Sequence, residues 1–317
     1  ILTLFPYTTL FRSCLLAVFL FTACHVDKKG SDLLKQNAVT IAVDATFRPI
    51  MEMELDQFAK THLDAILKPV YCSEDSAIQL LLNDSVRTIV VTRKLTANEQ
   101  ERLRQHRLSG VQSLIATDAF ALIVNKNNPD TLIRVDEIRK IVSGQITHWN
   151  QLEKGSKKSK IHLVFDDSRS STVRYMRDSL CGGKPLKGNL FAQGSNMAVI
   201  QAVKDNPDAI GVVGTDWLRG DNATVLANFD HLDIKVMLVT ASKEQYPQYY
   251  RPYQYNIAMD YYPLTRSVYV ISTDPHTNSQ AKYLYFFLKG QKGQLIFCNN
   301  SQLLPSMQVQ VRDVSIH

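Results

Sequence analysis

Short apolar runs alternate with amphipathic stretches along most of the chain. The run "AVTIAV" at 38–43 predicts a buried strand, and "PIMEMELDQFAKT" at 49–61 predicts a helix with Pro49 in its first turn. Further on, "KIHLVFDD" at 160–167 predicts another strand, and the "STVRYMRDSL" that follows its loop predicts a helix. This alternation predicts an α/β protein with mainly parallel sheets flanked by helices.

Other segments extend the same pattern. Thr96-Ala97-Asn98-Glu99 has the spacing of a capping box and predicts the start of a helix. The segment "SNMAVIQAVKDNPDAIGVVG" at 195–214 predicts a helix, a turn and a strand. Near the end, "RSVYVIST" predicts a strand, and "SQAKYLYFFLKGQKGQLIFCNN" predicts one long helix or two shorter ones.

The N-terminal part has the pattern of a targeting segment. The apolar stretch "CLLAVFLFTAC" at 14–24 is too short to span a bilayer as a finished helix. Because Thr22-Ala23-Cys24 looks like a bacterial lipobox, we predict a signal peptide over 1–23, lipidation of Cys24 and a tether over 24–37. An ordinary signal peptide, or a buried strand ending in a chance cysteine, is the alternative. Residues 1–13 have no initiator Met and only one basic residue, and we interpret them as a cloning or assembly artefact.

Composition narrows the class of protein. With 45% hydrophobic and 21% charged residues in 317 positions, the chain is a globular protein long enough for two domains. Its net charge of +6 is scattered rather than clustered, which favours a small anionic ligand over nucleic acid. Cys72, Cys181 and Cys298 allow at most one disulfide, and the pair stays open. No metal or cofactor is expected, since the His and Cys residues do not cluster and no nucleotide motif is present.

Candidate binding residues lie where strands end and helices begin. In "DDSRSSTVRYM" at 166–176, Ser170, Ser171 and Thr172 stand at a predicted helix start, where free backbone N–H groups favour an anion. The hydroxyl groups add donors, so this loop is predicted to cradle an oxyanion.

Three further loops have the same placement. They are "DATFRP" with Thr46 and Arg48, "TRKL" with Arg93, and "GSNM" with Ser195 and Asn196. The alternative for every one is plain helix capping, because Ser, Thr and Asn cap helices without binding a ligand.

Several longer segments resemble one known family. "DAFALIVNKNNPDTLIRVDEIRKIVSGQITHWNQL", "AVIQAVKDNPDAIGVVGTDWL", "YPLTRSVYV", "ATFRP" and "RSSTVRYM" are similar to segments of the phosphate-binding proteins of bacterial phosphate ABC transporters, within the periplasmic binding protein-like superfamily. The resemblance covers roughly residues 38–312. It implies a two-lobe clamshell of type II, with lobe 1 at 38–121 and 265–317 and lobe 2 at 122–264.

The resemblance also implies roles for single residues. Thr46 and Phe47 would contact the ligand from one lobe, and Ser170, Ser171 and Thr172 from the other. Arg93 aligns with a family aspartate and Asp166 with a family arginine. We therefore expect the charges to have changed sides, with Arg93 as the cation and Asp166 or Asp167 as the proton acceptor. Arg48 and Arg169 are secondary candidates in the same loops, while Glu74 and Asp75 would weaken anion binding unless they point away.

The expected function is an extracytoplasmic, lipid-anchored and monomeric solute-binding protein that delivers phosphate or a similar oxyanion to an ABC permease. One alternative is a surface lipoprotein that uses the fold only as a scaffold. The other is a serine hydrolase or phosphatase, which would need a base beside Ser168 or Ser170. No G-x-S-x-G elbow is present and His162 lies mid-strand, so we do not expect an enzyme.

Overall fold

The structure, a computed structural model, describes residues 38–219, 229 and 232–307. The predicted signal peptide, the tether and Cys24 therefore lie outside the described residues. No helix in the described ranges combines the length and the apolar character that crossing a bilayer requires. Cys72, Cys181 and Cys298 are all free, so none of the disulfides left open by the sequence is formed among them.

The strands are β1 (Ala38–Asp44), β2 (Ile66–Cys72), β3 (Thr88–Val91), β4 (Val111–Asn125), β5 (Leu132–Arg134), β6 (His162–Phe165), β7 (Leu190–Ala192), β8 (Ala209–Gly214), β9 (Ile234–Val236), β10 (Leu238–Thr240), β11 (Thr265–Ser272) and β12 (Leu304–Pro305). The helices are α1 (Arg48–Thr61), α2 (Glu74–Leu82), α3 (Ala97–Gln105), α4 (Val135–Val142), α5 (Ser171–Tyr175), α6 (Asn196–Asp205), α7 (Gln254–Ala258), α8 (Gln280–Lys289) and α9 (Gln291–Asn300).

One curved sheet runs through the molecule in the order β2-β1-β3-β11-β4-β8-β6-β7. Its outer strands pair in parallel on both sides, β1 with β2 and β3, and β6 with β7 and β8. The middle is antiparallel, because β11 pairs with both β3 and β4, and β4 pairs with β8. The α/β clamshell expected from the sequence is confirmed.

Strand β4 connects the two lobes. Its first part pairs with β11, up to Ala119, and its second part pairs with β8 from Phe120 onward. Lobe 1 is the side that contains β1–β3, β11 and β12, together with α1–α3, α8 and α9. Lobe 2 is the side that contains β5–β10, together with α4–α7. The pattern "FALIVNKNNP" at 120–129 predicts only a strand and a turn, whereas β4 already begins at Val111, so it is longer than its sequence pattern indicates.

Each lobe has apolar cores on the two faces of its part of the sheet. In lobe 1, α1, α8 and α9 cover one face around Phe58 and Phe297, and α2 and α3 cover the other around Ile78. In lobe 2, Trp149 and Val199 lie in the two corresponding cores. The predicted capping box at Thr96 and Glu99 is present at the start of α3. The C-terminal apolar segment forms two helices, α8 and α9, which meet at Gly290.

Candidate functional site

A group of polar side chains is buried where the lobes meet, although buried polar groups are rare without partners. We call it the buried polar cluster; its members are Asp44, Thr46, Asp118, Asp166, Ser170, Ser171, Thr172, Asn196 and Arg266, none more than 6% exposed. Lobe 1 supplies the β1 end and β11, and lobe 2 supplies the α5 loop and the start of α6.

The lobe 1 loop turns sharply at the end of β1. Asp44 caps this turn, accepting the Thr46 backbone N–H on Oδ1 at 3.0 Å. The Thr46 side chain is buried and its Oγ1 has no hydrogen-bond partner among the described residues. The Phe47 ring lies beneath the Arg266 guanidinium, 5.0 Å from ring centroid to Cζ. The loop therefore presents a hydroxyl without a partner among the described residues, and the next residue along the chain contacts a cation.

The lobe 2 loop follows β6 and contains three hydroxyl side chains with different partners. Ser170 caps α5, since its Oγ accepts the Val173 backbone N–H at 3.3 Å. Ser171 Oγ accepts a hydrogen bond from Arg266 Nη1 at 2.6 Å. Thr172 Oγ1 is buried without a partner within the described part of the chain. Capping thus accounts for Ser170 but not for Thr172.

Arg266 is the cation at the centre of the cluster. It lies opposite Asp118 in the β11–β4 register, and its Nε donates to Asp118 Oδ2 at 2.9 Å. The guanidinium is stacked over the Phe120 ring, with Cζ 4.2 Å from the centroid, and its Nη2 has no partner among the described residues. A buried guanidinium with a spare N–H is suited to bind an oxyanion.

Asp166 and Asn196 form the lobe 2 wall of the cluster. Asn196 Nδ2 donates to Asp166 Oδ2 at 3.4 Å, which is a long hydrogen bond. The second oxygen of Asp166 and the amide oxygen of Asn196 are buried without partners within residues 38–219, 229 and 232–307. Burial raises the pKa of Asp166, and the neighbouring Ser170 hydroxyl partly opposes that rise.

The acidic groups of lobe 1 are also perturbed. Burial raises the pKa of Asp44 to about 6, although Arg266 and the Ser171 hydroxyl act in the opposite direction and Glu74 adds to the rise. Burial also raises the pKa of Asp118 against the opposing effect of Arg266. The cluster therefore holds three carboxyl groups of raised pKa around one guanidinium, an arrangement in which protons can be shared with a ligand.

A second set of polar contacts crosses between the lobes beside the cluster. We call it the Glu74 bridge; it consists of Glu74 at the start of α2, Thr92 after β3 and Arg174 on α5. Glu74 is 1% exposed; its Oε1 accepts the Thr92 N–H at 2.7 Å and the Thr92 hydroxyl at 2.6 Å. Its Oε2 accepts from Arg174 Nε at 2.5 Å. Both carboxylate oxygens of Glu74 are therefore hydrogen-bonded, Oε1 by Thr92 and Oε2 by Arg174.

Arg93 has a different environment from the expected one. Its guanidinium forms a two-pronged pair with Glu99, Nη1 and Nη2 each lying 2.8 Å from a carboxylate oxygen. This contact is the main reason that the pKa of Glu99 falls to about 2. Arg93 lines an open cleft of about 540 Å³ together with Lys94, Arg174 and Tyr269. Among the described residues, the guanidinium that contacts Ser171 is that of Arg266, and no hydrogen bond joins Arg93 to the Ser170–Thr172 loop.

The secondary candidates lie at the surface or have structural partners. Arg48 pairs with Glu52 at 2.8 Å and is exposed. The Arg169 guanidinium is exposed and lies 3.9 Å from Asp167. Ser195 caps α6 by accepting the Ala198 N–H at 3.2 Å. Of the side chains of Arg48, Arg169, Ser195 and Asn196, only that of Asn196 belongs to the buried polar cluster.

Sequence reasoning missed Arg266, Asp44 and Asp118. A signal was present, because Arg266 and Asp118 are each the one charged residue of a largely buried strand, a pattern that implies a buried partner. They lie 148 positions apart, so only the strand register reveals the pair.

Comparisons with known proteins identify the family and the fold of this chain. A family model described as a PBP superfamily domain matches residues 30–290. The chain belongs to the periplasmic binding protein superfamily. It is 25% identical over 206 residues to the phosphate-binding protein PstS of Bacillus subtilis, a match that covers 63% of this chain and 66% of the relative, just under two thirds.

Two other matches cover more of the protein. The phosphate-binding protein PstS of Borreliella burgdorferi is 21% identical over 290 residues, which cover 88% of this chain and 94% of that relative. A substrate-binding protein from Clostridium perfringens, solved with bound phosphate, superimposes with a TM-score of 0.70 at 19% identity, covering 86% of this chain and all of that one. The structural match establishes the shared superfamily fold.

Proposed function

We propose that this protein captures phosphate, or a closely similar oxyanion, outside the cytoplasm and delivers it to an ABC transporter permease. Matched relatives are named as phosphate-binding proteins. The observation that carries the proposal is the set of unpartnered buried donors at the meeting of the lobes: Thr46 Oγ1, Thr172 Oγ1 and Arg266 Nη2. Leaving such groups unpaired costs about 1–3 kcal/mol each, which a bound oxyanion would recover.

In this proposal each residue has a distinct role. Arg266 supplies the positive charge, and the Thr46 and Thr172 hydroxyl groups donate from opposite lobes. The Phe47 ring supports the guanidinium from below. Ligand contacts on both sides favour the closed arrangement of the lobes, as in hinge-closing binding proteins.

The carboxyl groups favour a ligand that carries a proton. Asp44 Oδ2 and Asp166 Oδ1 are buried acceptors without partners among the described residues. A bare oxyanion would be repelled by them, whereas the hydroxyl group of a monohydrogen phosphate can donate to one of them. Sulfate is fully deprotonated at neutral pH, so we propose that the site prefers phosphate to sulfate. Asp166 keeps the acceptor role suggested by the sequence, and Asp44 is a second candidate for it.

The cellular setting completes the proposal. We infer that Cys24 is lipidated and anchors the protein to a membrane on its extracytoplasmic side, on the strength of the lipobox-like Thr22-Ala23-Cys24. Mass spectrometry of the membrane fraction tests this directly. We expect a diacylglyceryl group on Cys24, and an unmodified chain cut elsewhere would contradict it.

A hydrolase reading has little support in the site. Ser170 Oγ caps α5 and Ser171 Oγ accepts from Arg266, and within the described residues neither hydroxyl is hydrogen-bonded to a histidine or lysine side chain. The His162 ring contacts Asn206 at 2.8 Å instead. A nucleophilic serine needs a base within hydrogen-bond reach.

Calorimetric titration of the purified protein with phosphate, arsenate and sulfate tests the proposal. We expect saturable binding of phosphate and arsenate at a stoichiometry of about one, weak or absent binding of sulfate, and no release of product from phosphate esters. Absence of heat with all three ions would favour the scaffold lipoprotein. Turnover of a phosphate ester would favour the hydrolase.

A further inference from the structure

The first turn of α1 has no cap from its own segment. Its N-cap residue is Phe47, whose side chain offers no acceptor. The free N–H of Ile50 instead donates to Asp216 Oδ2 at 2.6 Å, across 166 positions of sequence. Asp216 follows β8 in lobe 2 and is 2% exposed. A carboxylate of one lobe therefore caps a helix of the other lobe.

Trp217 makes a second contact across the lobes at the same loop. Its indole Nε1 donates to the backbone oxygen of Thr46 at 2.7 Å. Thr46 is held from both sides as a result, because its own N–H donates to Asp44. The indole contact fixes the peptide group between Thr46 and Phe47.

The backbone of the same lobe 2 segment approaches this loop closely. A Cβ at Gly214 would lie 2.6 Å from Thr46 Cγ2, so a larger residue would push the loop away. Thr215 Oγ1 donates to Asp118 Oδ1 at 3.3 Å, which connects the segment to the carboxylate that pairs with Arg266. Residues 214–217 thus touch the lobe 1 part of the site at three places.

We propose that Asp216 and Trp217 are positioning residues for ligand capture: they seat the Thr46–Phe47 loop when the lobes meet, so that capping of α1 and closure over the anion are one event. This inference rests on the proposed oxyanion-binding function. Neither side chain needs to touch the ligand. Their effect is transmitted by Ile50 N–H and by the Thr46 carbonyl oxygen, because both lie beside the groups that would donate to the anion.

Matched variants separate positioning from mere stability. Asp216→Ala removes the cap acceptor, and we expect about tenfold weaker phosphate binding by calorimetry. Asp216→Asn keeps an acceptor of equal size and should bind within about threefold of the wild type. Trp217→Phe keeps the ring but loses the donor, and we expect a loss of about three- to tenfold.

The indole N–H signals of the two tryptophans provide a spectroscopic readout. A ligand-dependent change in this readout is not expected if Asp216 and Trp217 contribute only to stability. The chain has only Trp149 and Trp217. Trp149 is buried within lobe 2, where its indole N–H points to the Asp208 carbonyl oxygen at 3.3 Å. On adding phosphate to ¹⁵N-labelled protein, we expect the Trp217 indole signal to shift and the Trp149 signal to stay in place. In Asp216→Ala the Trp217 shift should need correspondingly more phosphate.

Failure of this inference differs from failure of the proposed function. If the wild type binds none of the oxyanions, the proposed function is wrong. If the wild type binds phosphate while Asp216→Ala and Trp217→Phe bind it equally well, the positioning role alone is overturned. If Asp216→Asn weakens phosphate binding as much as Asp216→Ala does, the capping role of Asp216 is also contradicted.

Discussion

Two regions of buried charge meet at the lobe boundary, and they differ in how completely their groups are paired. In the Glu74 bridge both carboxylate oxygens accept hydrogen bonds from Thr92 and Arg174. In the buried polar cluster, Asp44, Asp166 and Arg266 each keep one polar atom without a partner among the described residues. The first region is complete without a ligand and joins the lobes. The second has the unused donors and acceptors of a binding site.

Because of this difference, removing a charge should have different effects on stability and ligand binding in the two regions. Removing a group from the Glu74 bridge should mainly reduce the free energy of unfolding. Removing a group from the buried polar cluster should change ligand binding without lowering the free energy of unfolding. Arg266 is the exception, because its Nε pairs with Asp118 while its Nη2 has no partner among the described residues.

Arg266→Gln should give the largest effect on stability. It leaves Asp118 buried beside a neutral partner, and we expect a loss of about 4 kcal/mol in the free energy of unfolding, measured with denaturant. The matched double variant Arg266→Gln with Asp118→Asn has no unpaired charge and should recover most of that loss. Equal instability of the single and double variants would contradict this role of the pair.

Asp44→Asn should change the dependence of stability on pH. The pKa of Asp44 is raised from 3.8 to about 6 in the folded protein. The stability that the neutral carboxyl group contributes is therefore fully present below pH 4 and lost as pH rises through 6. At pH 8 the ionised Asp44 carboxylate therefore lowers the free energy of unfolding by about 3 kcal/mol relative to a neutral side chain. We therefore expect the variant to be more stable than the wild type at pH 8 by up to this amount.

The control is the same comparison at pH 4, where the carboxyl group is neutral and the two proteins should be nearly equal. Asn keeps the oxygen that accepts the Thr46 N–H, so the turn is preserved. A difference between variant and wild type that does not vary with pH would show that Asp44 is not titrating in this range.

Glu74→Gln should destabilise the protein by about 2 kcal/mol, because it replaces charge-assisted hydrogen bonds of a buried carboxylate with neutral ones. Asp166→Asn is the matched variant in the cluster. Within the described residues, the hydrogen bond to the Asp166 carboxylate is the long one from Asn196, so we expect unchanged or slightly higher stability together with altered phosphate affinity. Chemical denaturation of both variants checks the comparison, and an equal loss of stability in the two would remove the distinction between the regions.

Arg93→Gln should have the smallest effect. The Arg93–Glu99 pair is partly exposed, and pairs of this kind contribute about 1 kcal/mol or less. We expect a drop of that size in thermal or denaturant stability, and it should shrink in high salt. A loss well above this value, or one insensitive to salt, would show that Arg93 has a further role.

The sequence predicted the parts of the fold and site that depend on local signals. Residue type and spacing are enough to predict the capping box at Thr96 and most strand positions. They also predict the loops that contain Thr46 and Ser170–Thr172. The length of β4 and the role of Arg266 could not be predicted in this way, because both depend on pairing between strands that are distant in sequence. The sequence predicted Arg93 as the cation from alignment alone. In the structure Arg93 pairs with the nearby Glu99, which also forms the α3 capping box.

Phosphate titration by calorimetry of Arg266→Gln beside Arg93→Gln tests the central claim most directly. The claim is that unpartnered groups around Arg266 hold one oxyanion between the lobes. We predict that Arg266→Gln weakens phosphate binding at least about 100-fold, since it removes a buried charged donor, while Arg93→Gln stays within about threefold of the wild type. Wild-type affinity in Arg266→Gln, with binding lost in Arg93→Gln, would contradict the account.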